Sequence, residues 1–481
     1  MAADEISLLD TTAQAALVRT RKISPRELVD AAIARIERLN PTLGAVIHPA
    51  LERARATADA VPDGPFRGVP FLMKDIGGAE AGEPYHCGMR FLKEAGWRAR
   101  EDAELTHRFR AAGLVSLGRT STPELALLPT TEPVAYGATR NPRSLAHSAG
   151  GSSGGAASAV AAGIVPAAHA SDGGGSIRGP ASMCGLIGLK TTRGRSSFGP
   201  ALGERWSGFS VECVLTRTVR DLAGFLDAIA GPAPGDPYTA PAPVRPFRDE
   251  VGAAPGRLRV GVLRTAPRGI PMHAEASAAV ERAARLFAEL GHEVADGGPA
   301  ALDEPQSVLA YVSVVAANTA RALASWGEAV GRPIGVDDVE PLTWALAERG
   351  RHLSAVDHLA TLEYIHAFGR RLAAWWQDGH DLLVTVTQAE PPPELGYISS
   401  TPDDPLRAFV RSAPYGACTA PFNMSGQPAI SLPLHWTADG LPMGVQLVAP
   451  TGREDLLLRV AAQLEEASGW PKRVPPTHAS R

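Results

Sequence analysis

GGSSGG at residues 150–155 and SDGGGSIR at residues 171–178 are two glycine-rich turns that each carry a serine and lie close together in the chain. A third segment, GVPFLMKD at residues 68–75, places Lys74 upstream of both. A serine nucleophile needs a base, and it needs backbone N–H groups directed at the oxygen that develops negative charge. Glycine permits the backbone conformations and the close approach that such turns require. The three segments together predict a nucleophile, a proton relay and an oxyanion hole, with no histidine among them.

Two other functions are compatible with parts of this pattern. Residues 150–154 satisfy the G-x-S-x-G pattern of an α/β-hydrolase-type esterase. That nucleophile turn follows directly on a strand, whereas residues 142–149 are polar and predict a loop. A phosphate-binding glycine loop carries lysine directly after its last glycine, and Ala156 stands there instead. The pattern therefore favours the serine–lysine arrangement, with the esterase as an alternative.

Further motifs along the chain sharpen this prediction. They are TSTPE at 120–124, YGATRNP at 136–142, CGLIGLK at 184–190, FNMSGQPA at 422–429 and GLPMGVQ at 440–446. With the two serine turns and the lysine segment, they resemble the amidase signature family of serine hydrolases over nearly the whole chain. The resemblance implies a single amidase domain over residues 1–481. Its parts are an N-terminal helical region (1–65), the signature core (66–230), a proline-rich loop (231–256) and the remainder of the sheet with added helices (257–481).

The resemblance also implies roles for individual residues. It implies a Ser-Ser-Lys triad in which Ser176 forms the acyl-enzyme, Ser152 bridges and Lys74 is the base. It implies a cis peptide bond before Ser152. The other implied positions are the oxyanion-hole N–H groups of Gly173, Gly174, Gly175 and Ser176, and substrate contacts at the Ala126 carbonyl and at Ser152.

One position departs from the family pattern. Many members carry threonine where this chain has Gly174. Because the oxyanion donors are backbone groups, catalysis should survive the change. The glycine predicts a looser turn or room for a bulkier substrate.

The activity that the resemblance implies is hydrolysis of the C–N bond of a small-molecule amide, with esters and carbamates (urethanes) as chemical variants. A glutamine-hydrolysing A-type subunit of a tRNA-dependent amidotransferase is the alternative within the family. To act as a base near neutral pH, Lys74 must have its pKa lowered from about 10.4 to near 7, which burial can supply. No cofactor or metal is implied, and the histidines show no HExxH spacing.

Composition sets the broad class. The 481 residues are 44% hydrophobic and 20% charged, which is typical of a globular protein. The net charge of −4 predicts no nucleic-acid and no membrane partner, and no apolar run reaches the roughly 20 residues of a membrane helix. Four widely spaced cysteines without a C-x-x-C pair, and an N-terminus without an apolar signal region, indicate a cytoplasmic enzyme. The expected partner is the small-molecule substrate, and a monomer or a homodimer is expected.

Strand and helix patterns are mixed along the chain and predict an α/β fold: a large, mixed, mostly parallel, twisted sheet sandwiched by many helices. Residues 24–27 form a capping box that predicts a helix, which should end at Asn40-Pro41. Residues 451–454 predict a second capping box. Residues 312–346 and the loop 391–404 are the expected walls of the substrate pocket, with the loop as a lid.

Overall fold

A computed structural model describes residues 3–481 as an α/β fold in which a large sheet is flanked by helices. The strands are β1 (Val46–Pro49), β2 (Pro70–Lys74), β3 (Val115–Thr120), β4 (Arg140–Asn141), β5 (Ser144–Ser148), β6 (Ala167–Asp172), β7 (Ile187–Lys190), β8 (Val211–Thr216), β9 (Arg259–Val262), β10 (Glu293–Asp296), β11 (Leu382–Val386), β12 (Ala429–Trp436) and β13 (Pro442–Val448).

The α-helices surround these strands and join them. They are α1 (Ala3–Ile6), α2 (Thr11–Arg19), α3 (Pro25–Leu43), α4 (Leu51–Thr57), α5 (Arg90–Glu94), α6 (Glu104–Ala111), α7 (Gly154–Ala161), α8 (Arg178–Cys184), α9 (Val219–Ile229), α10 (Ala274–Glu289), α11 (Gln306–Val330), α12 (Pro341–Arg351), α13 (Ala355–Ala374), α14 (Arg407–Arg411), α15 (Ala413–Gly416), α16 (Ala420–Ser425) and α17 (Glu454–Ser468).

Within residues 3–481, eleven strands form one sheet in the order β1-β3-β2-β6-β8-β7-β12-β13-β11-β9-β10. Pairing is parallel along β3-β2-β6 and along β11-β9-β10. The other neighbours in the sheet are antiparallel. The predicted large mixed sheet is confirmed, and four of its ten neighbouring pairs are parallel, all of them in those two stretches.

The segment before Ser152 is a strand and not the predicted loop. β5 pairs with β4 in an antiparallel ribbon of two strands, which stands apart from the main sheet. A ribbon of this kind needs no continuous apolar face, so its polar sequence gave no strand pattern. Ser152 therefore does not follow a strand of the main sheet, as the nucleophile turn of an α/β-hydrolase does.

The first predicted capping box is present and the predicted helix end is not. Ser24 Oγ accepts the Glu27 N–H, and the Glu27 carboxylate accepts the Ser24 N–H at 2.8 Å. α3 continues through Asn40-Pro41 to Leu43, and Gly44 closes it in the left-handed conformation. The proline lies in the last turn of the helix, where it removes only one intrahelical hydrogen bond.

The second predicted capping box is wrong. α17 begins at Glu454 after Arg453, and no side chain caps it. The Glu454 carboxylate is buried in an ion pair with Arg195 at 2.8 Å. It also accepts the Thr192 N–H at 2.8 Å. This carboxylate therefore ties residues 192–195 to the first turn of α17.

α11, with 25 residues, is long and apolar enough to cross a membrane by length and composition. Its sequence still contains no unbroken apolar run of about 20 residues, since Asn318, Thr319 and Arg321 interrupt it. α11 packs against α12, α13 and α16. A core helix that buries apolar side chains against its neighbours meets the same criteria.

Candidate active site

The strands β2 and β6 are parallel neighbours, and each ends at the predicted site. Leu72 of β2 pairs with Ala168 of β6. Lys74 is the last residue of β2, and Asp172 is the last residue of β6. Because parallel strands end at the same edge of a sheet, Lys74 and the turn at residues 172–178 meet there.

The Lys74 amine is buried among hydroxyl groups. Its Nζ lies 2.8 Å from Ser152 Oγ, 2.9 Å from Ser153 Oγ and 3.0 Å from Ser171 Oγ. Burial lowers the pKa of Lys74 to about 7, although two nearby carboxylates oppose this shift. A neutral amine has two N–H donors and one lone pair, which matches three hydroxyl partners. The pKa of Lys74 is therefore shifted in the direction that a lysine base requires.

Ser152 stands between the ribbon β4–β5 and the first residue of α7. The Gly151–Ser152 peptide bond is cis, as the resemblance implies. All side chains of α7 are buried, and they are those of glycine, alanine, serine and one valine. Because these side chains are small, α7 packs closely on β2, β3 and β6. This packing brings the residues just before α7 to the Lys74 amine.

Asp172 and Arg178 hold the second serine turn in shape. Both side chains are fully buried, and Arg178 donates to the Asp172 carboxylate from Nη2 at 2.9 Å and from Nε at 3.0 Å. The same carboxylate accepts the N–H groups of Gly175, Ile177 and Arg178. Burial alone would raise the pKa of Asp172, but the guanidinium group and these hydrogen bonds hold it well below its usual range. The carboxylate is therefore ionised and structural.

Side chains from three other segments fill the space beside the glycines of this turn. The pairs are Gly173 with Trp206 (2.8 Å from where a Cβ would lie), Gly174 with Tyr311 (the hydroxyl overlaps that place) and Gly175 with Thr419 (2.5 Å). The expectation that Gly174 makes room for a bulkier substrate is wrong, and the expectation of a looser turn stays a prediction. The Tyr311 hydroxyl takes the room that the missing side chain leaves.

The backbone N–H of Gly175 departs from its expected role. It donates to Asp172 Oδ1 at 2.7 Å, so it is engaged inside the turn. Within residues 3–481, the N–H groups of Gly173, Gly174 and Ser176 meet no acceptor. These three N–H groups are therefore the ones available to a bound molecule.

Ser152 and Ser176 line the same cavity, which has a volume of about 510 Å³. Ala126 lines it as well, and both Leu125 and Ala126 have positive φ values there. More of the wall is apolar than polar. Its aromatic residues are Tyr85, Trp97, Trp206 and Trp326, and its charged residues are Arg100, Glu101, Glu204, Arg205 and Arg321. Ligand pockets of this size and character are typical of small-molecule sites.

One of the two predicted pocket walls lines the cavity, and the other does not. Residues 312–346 are confirmed in part, since α11 lines the cavity with residues between 318 and 329. No residue of the loop 391–404 lines this cavity, so the second expected wall is not found, and hydrogen bonds tie the loop to other segments. Its Pro393 carbonyl accepts the Ser148 N–H at 2.9 Å, and its Gly396 N–H donates to Glu132 at 2.7 Å.

Three residues that contact the site had no role assigned from sequence. The parallel pairing of Leu72 with Ala168 places Ala170 level with Lys74, and Ser171 follows it on β6. Ser171 Oγ lies 3.0 Å from Lys74 Nζ. That register was the signal that could have identified Ser171. Tyr311 and Thr419 lie 138 and 245 residues from their partners in the turn, so no local pattern connects them.

No group of three or more His, Cys, Asp or Glu side chains among the described residues is arranged to hold a metal ion.

The Amidase family model matches residues 27–458. The chain belongs to the amidase family. It is 44% identical over 474 residues to the 6-aminohexanoate-cyclic-dimer hydrolase of Paenarthrobacter ureafaciens. The aligned region covers 97% of this chain and 96% of that relative. These matches confirm the resemblance to the amidase signature family. This amidase is therefore a hydrolase of amide C–N bonds.

Solved structures agree with this amidase over its whole length. A structure of 6-aminohexanoate cyclic dimer hydrolase complexed with substrate has a TM-score of 0.96 at 43% identity, covering 98% of this chain and 99% of that chain. A bacterial aryl acylamidase of the amidase signature family has a TM-score of 0.86 at 28% identity, covering 97% and 99%. The amidase fold, and not that of an α/β-hydrolase esterase, is thus the fold of this chain.

Proposed function

We propose that this amidase hydrolyses a small, uncharged cyclic amide of the 6-aminohexanoate type, with Ser176 as nucleophile and with Ser152 and Lys74 as the proton relay. The observation that carries the proposal is the buried Lys74 amine, whose three hydrogen-bonding partners are all hydroxyl groups. Burial disfavours the charged form, so the amine accepts a proton near pH 7.

In the proposed reaction, Lys74 accepts the proton of Ser152 while Ser152 accepts that of Ser176. Ser176 Oγ attacks the amide carbon, and the N–H groups of Gly173, Gly174 and Ser176 stabilise the oxyanion. The relay then returns a proton to the leaving nitrogen, the C–N bond breaks and an acyl-enzyme remains. Water, deprotonated by the same relay, attacks the ester carbon and releases the acid.

The cavity supports an apolar and uncharged substrate. A cyclic dimer of 6-aminohexanoate has two amide groups joined by two five-methylene chains and has no charged end. Methylene chains suit the apolar part of the wall, which includes four aromatic residues. In the proposed complex, the Ala126 carbonyl accepts the N–H of the amide that is cleaved. The relatives of highest identity described above are named for this compound, which favours it over glutamine as the substrate.

The test compares the wild-type chain with Ser176→Ala on the cyclic dimer of 6-aminohexanoate. Each turnover releases a linear dimer with a new primary amine, which an amine-reactive dye detects. We expect release by the wild type and none above background by Ser176→Ala. Ser158→Ala is the matched control, because Ser158 is a buried serine of α7 whose Oγ donates to the Arg140 carbonyl at 2.8 Å, away from the cavity.

A panel of other substrates separates the parts of the proposal. It contains a linear aliphatic amide, an anilide, an ester, a carbamate and glutamine. Turnover by Ser176→Ala would contradict the assignment of the nucleophile. A wild type that cleaves glutamine or the anilide and leaves the cyclic dimer intact would contradict the proposed substrate and leave the nucleophile in place.

A further inference from the structure

Three consecutive carbonyl groups of the second serine turn each accept a hydrogen bond from a side chain of a distant segment. The donors are Asn423 Nδ2 to the Asp172 carbonyl (2.9 Å), the Tyr311 hydroxyl to the Gly173 carbonyl (3.3 Å) and Thr419 Oγ1 to the Gly174 carbonyl (2.6 Å). Each carbonyl shares a planar peptide unit with the N–H of the next residue. Fixing the carbonyl therefore fixes the direction of that N–H.

The peptide unit between Gly173 and Gly174 is the critical one. In a trans peptide the carbonyl and the N–H point to opposite sides. The Gly173 carbonyl points to Tyr311 on α11, so the Gly174 N–H points away from α11. The following unit is occupied at both ends, by Thr419 at its carbonyl and by the Asp172 carboxylate at the Gly175 N–H. Tyr311 is thus the side chain that orients the Gly174 N–H.

A second observation on Tyr311 is independent of this hydrogen bond. A Cβ on Gly174 would overlap the Tyr311 hydroxyl, and it would lie 3.0 Å from Tyr311 Cζ. The phenol therefore fills the space that a side chain at position 174 would need. It restrains the glycine by contact as well as by hydrogen bonding, which matters because glycine has little conformational preference of its own.

We propose that Tyr311 is a positioning residue of the oxyanion hole, which holds the Gly174 N–H in the direction that stabilises the tetrahedral intermediate. The inference rests on the proposed function, since it requires an acyl transfer through Ser176. It assigns a role in the active site to a residue of α11 that lies 138 residues after Gly173 in the chain.

The surroundings of Tyr311 suit this role. Its ring stacks on Phe209, with ring centroids 5.8 Å apart and planes inclined by 7°. Burial raises the pKa of Tyr311, so the phenol stays protonated and remains a donor at neutral pH. A stacked, neutral phenol on a long helix is a rigid support for a glycine-rich turn.

The first test is Tyr311→Phe, which removes the hydroxyl and keeps the ring. Loss of a complete oxyanion donor lowers kcat by about 100- to 1,000-fold, so loss of its orientation should lower kcat by about tenfold or more. KM and the melting temperature should remain close to those of the wild type, because the ring still stacks on Phe209. Tyr364→Phe is the control: its hydroxyl donates to Glu304 at 2.7 Å outside the cavity, and kcat should not change. A kcat of Tyr311→Phe equal to that of the wild type would overturn the inference.

The second test uses phenylboronic acid, which forms a tetrahedral adduct with a nucleophilic serine. The inhibition constant should rise in Tyr311→Phe by a factor similar to the fall in kcat. A merely structural role would leave it unchanged, and that result would overturn the inference. The wild type reports separately on the proposed function: an adduct at a residue other than Ser176 would contradict that function, whatever Tyr311→Phe does.

A pair of variants tests the contact between Tyr311 and Gly174 if Tyr311→Phe folds poorly. Gly174→Ala should lower kcat, because its Cβ displaces the tyrosine. Tyr311→Val opens the space. In the Tyr311→Val background, Gly174→Ala should lower kcat by a much smaller factor than it does in the wild type. Losses that simply multiply would overturn the inference, since they would show that the two positions act independently.

Discussion

At the scale of the residue, burial lowers the pKa of Lys74 because it disfavours the charged form of the amine. The difference between a pKa of 10.5 in water and about 7 in the fold corresponds to a free energy on the order of 5 kcal/mol against the charged form. In the proposed mechanism the neutral amine is the base, and it predominates only above the folded pKa. We therefore expect kcat/KM to rise with pH through about 7 and to level off above it, as measured in buffers of constant ionic strength.

Glu212 provides the control for this pH profile, because burial raises its pKa to about 7 as well. Its negative charge raises the pKa of Lys74. Glu212→Gln should therefore keep the rise of kcat/KM and move its midpoint to lower pH. A profile that becomes flat in this variant would assign the titration to Glu212 and contradict the role of Lys74.

The residues predicted from sequence are those whose signals are local. Lys74, Ser152 and Ser176 each stand in a short motif, and the structure places the first two in direct contact and the third in the same cavity. Ser171 and Tyr311 were not predicted. Ser171 depends on the register of two strands, and Tyr311 depends on where a helix far along the chain packs, which no short pattern records.

At the scale of the element, α11 serves two parts of the site. Its first turns bring Tyr311 to the second serine turn, and its second half lines the cavity. Trp326 lies in that second half, with its ring 5.6 Å from that of Trp97 and 6.2 Å from that of Tyr85. These three rings form one aromatic wall of the cavity.

Trp326→Ala should weaken substrate binding more than chemistry, since Trp326 belongs to this wall. Removal of its apolar surface should raise KM for the cyclic dimer roughly tenfold, with kcat changed much less. Steady-state kinetics measures both. Trp375→Ala is the control, because that indole stacks on His380 at 4.0 Å and does not line the cavity. An equal rise of KM in both variants would argue against the aromatic wall.

Helix ends were predicted less well than helices, and α17 shows the physical reason. Glu454 stands at the position of a capping box, yet its carboxylate pairs with Arg195 and accepts the Thr192 N–H. A buried ion pair with a distant residue stabilises this carboxylate more than a local cap would. The local pattern therefore predicted the wrong hydrogen-bond partners for Glu454. The capping box of α3 is present because the Ser24 and Glu27 side chains lie near the surface, where they bond to each other.

The same contrast gives a stability prediction. Glu454→Ala leaves Arg195 buried without its counter-ion and should lower the free energy of unfolding by about 3–5 kcal/mol. Ser24→Ala removes only an exposed cap and should cost about 1 kcal/mol. Denaturant unfolding measures both values. Equal costs would show that the Arg195–Glu454 pair contributes no more than a helix cap.

At the scale of the whole molecule, the sequence predicted the class of fold and not the order of the strands. The strand patterns were visible, and so was their mixture with helices. The sheet order was not, because β7 lies between β8 and β12, and β11 joins β13 to β9. Neighbours in this sheet come from distant parts of the chain, and their pairing depends on packing that a local pattern does not contain.

Arg178 links these distant parts. Besides Asp172, its guanidinium group donates to Asn423 Oδ1 at 2.6 Å and to Gln446 Oε1 at 2.7 Å, so it connects the serine turn to α16 and β13. Arg178→Met leaves the Asp172 carboxylate buried without its counter-ion. This change should abolish activity and lower the free energy of unfolding by about 3–5 kcal/mol at neutral pH.

The pH dependence of that loss follows from the lowered pKa of Asp172. The stability that the ionised carboxylate contributes is present above its unfolded pKa of about 3.9 and is lost as the pH falls through the folded value. The difference in the free energy of unfolding between wild type and Arg178→Met, measured in urea, should therefore become smaller in acid. Arg264→Met, which removes surface ion pairs with Glu281 and Asp296, should change stability by about 1 kcal/mol or less. A difference that stays constant down to acid pH would show that Arg178 contributes by packing and not by its charge on Asp172.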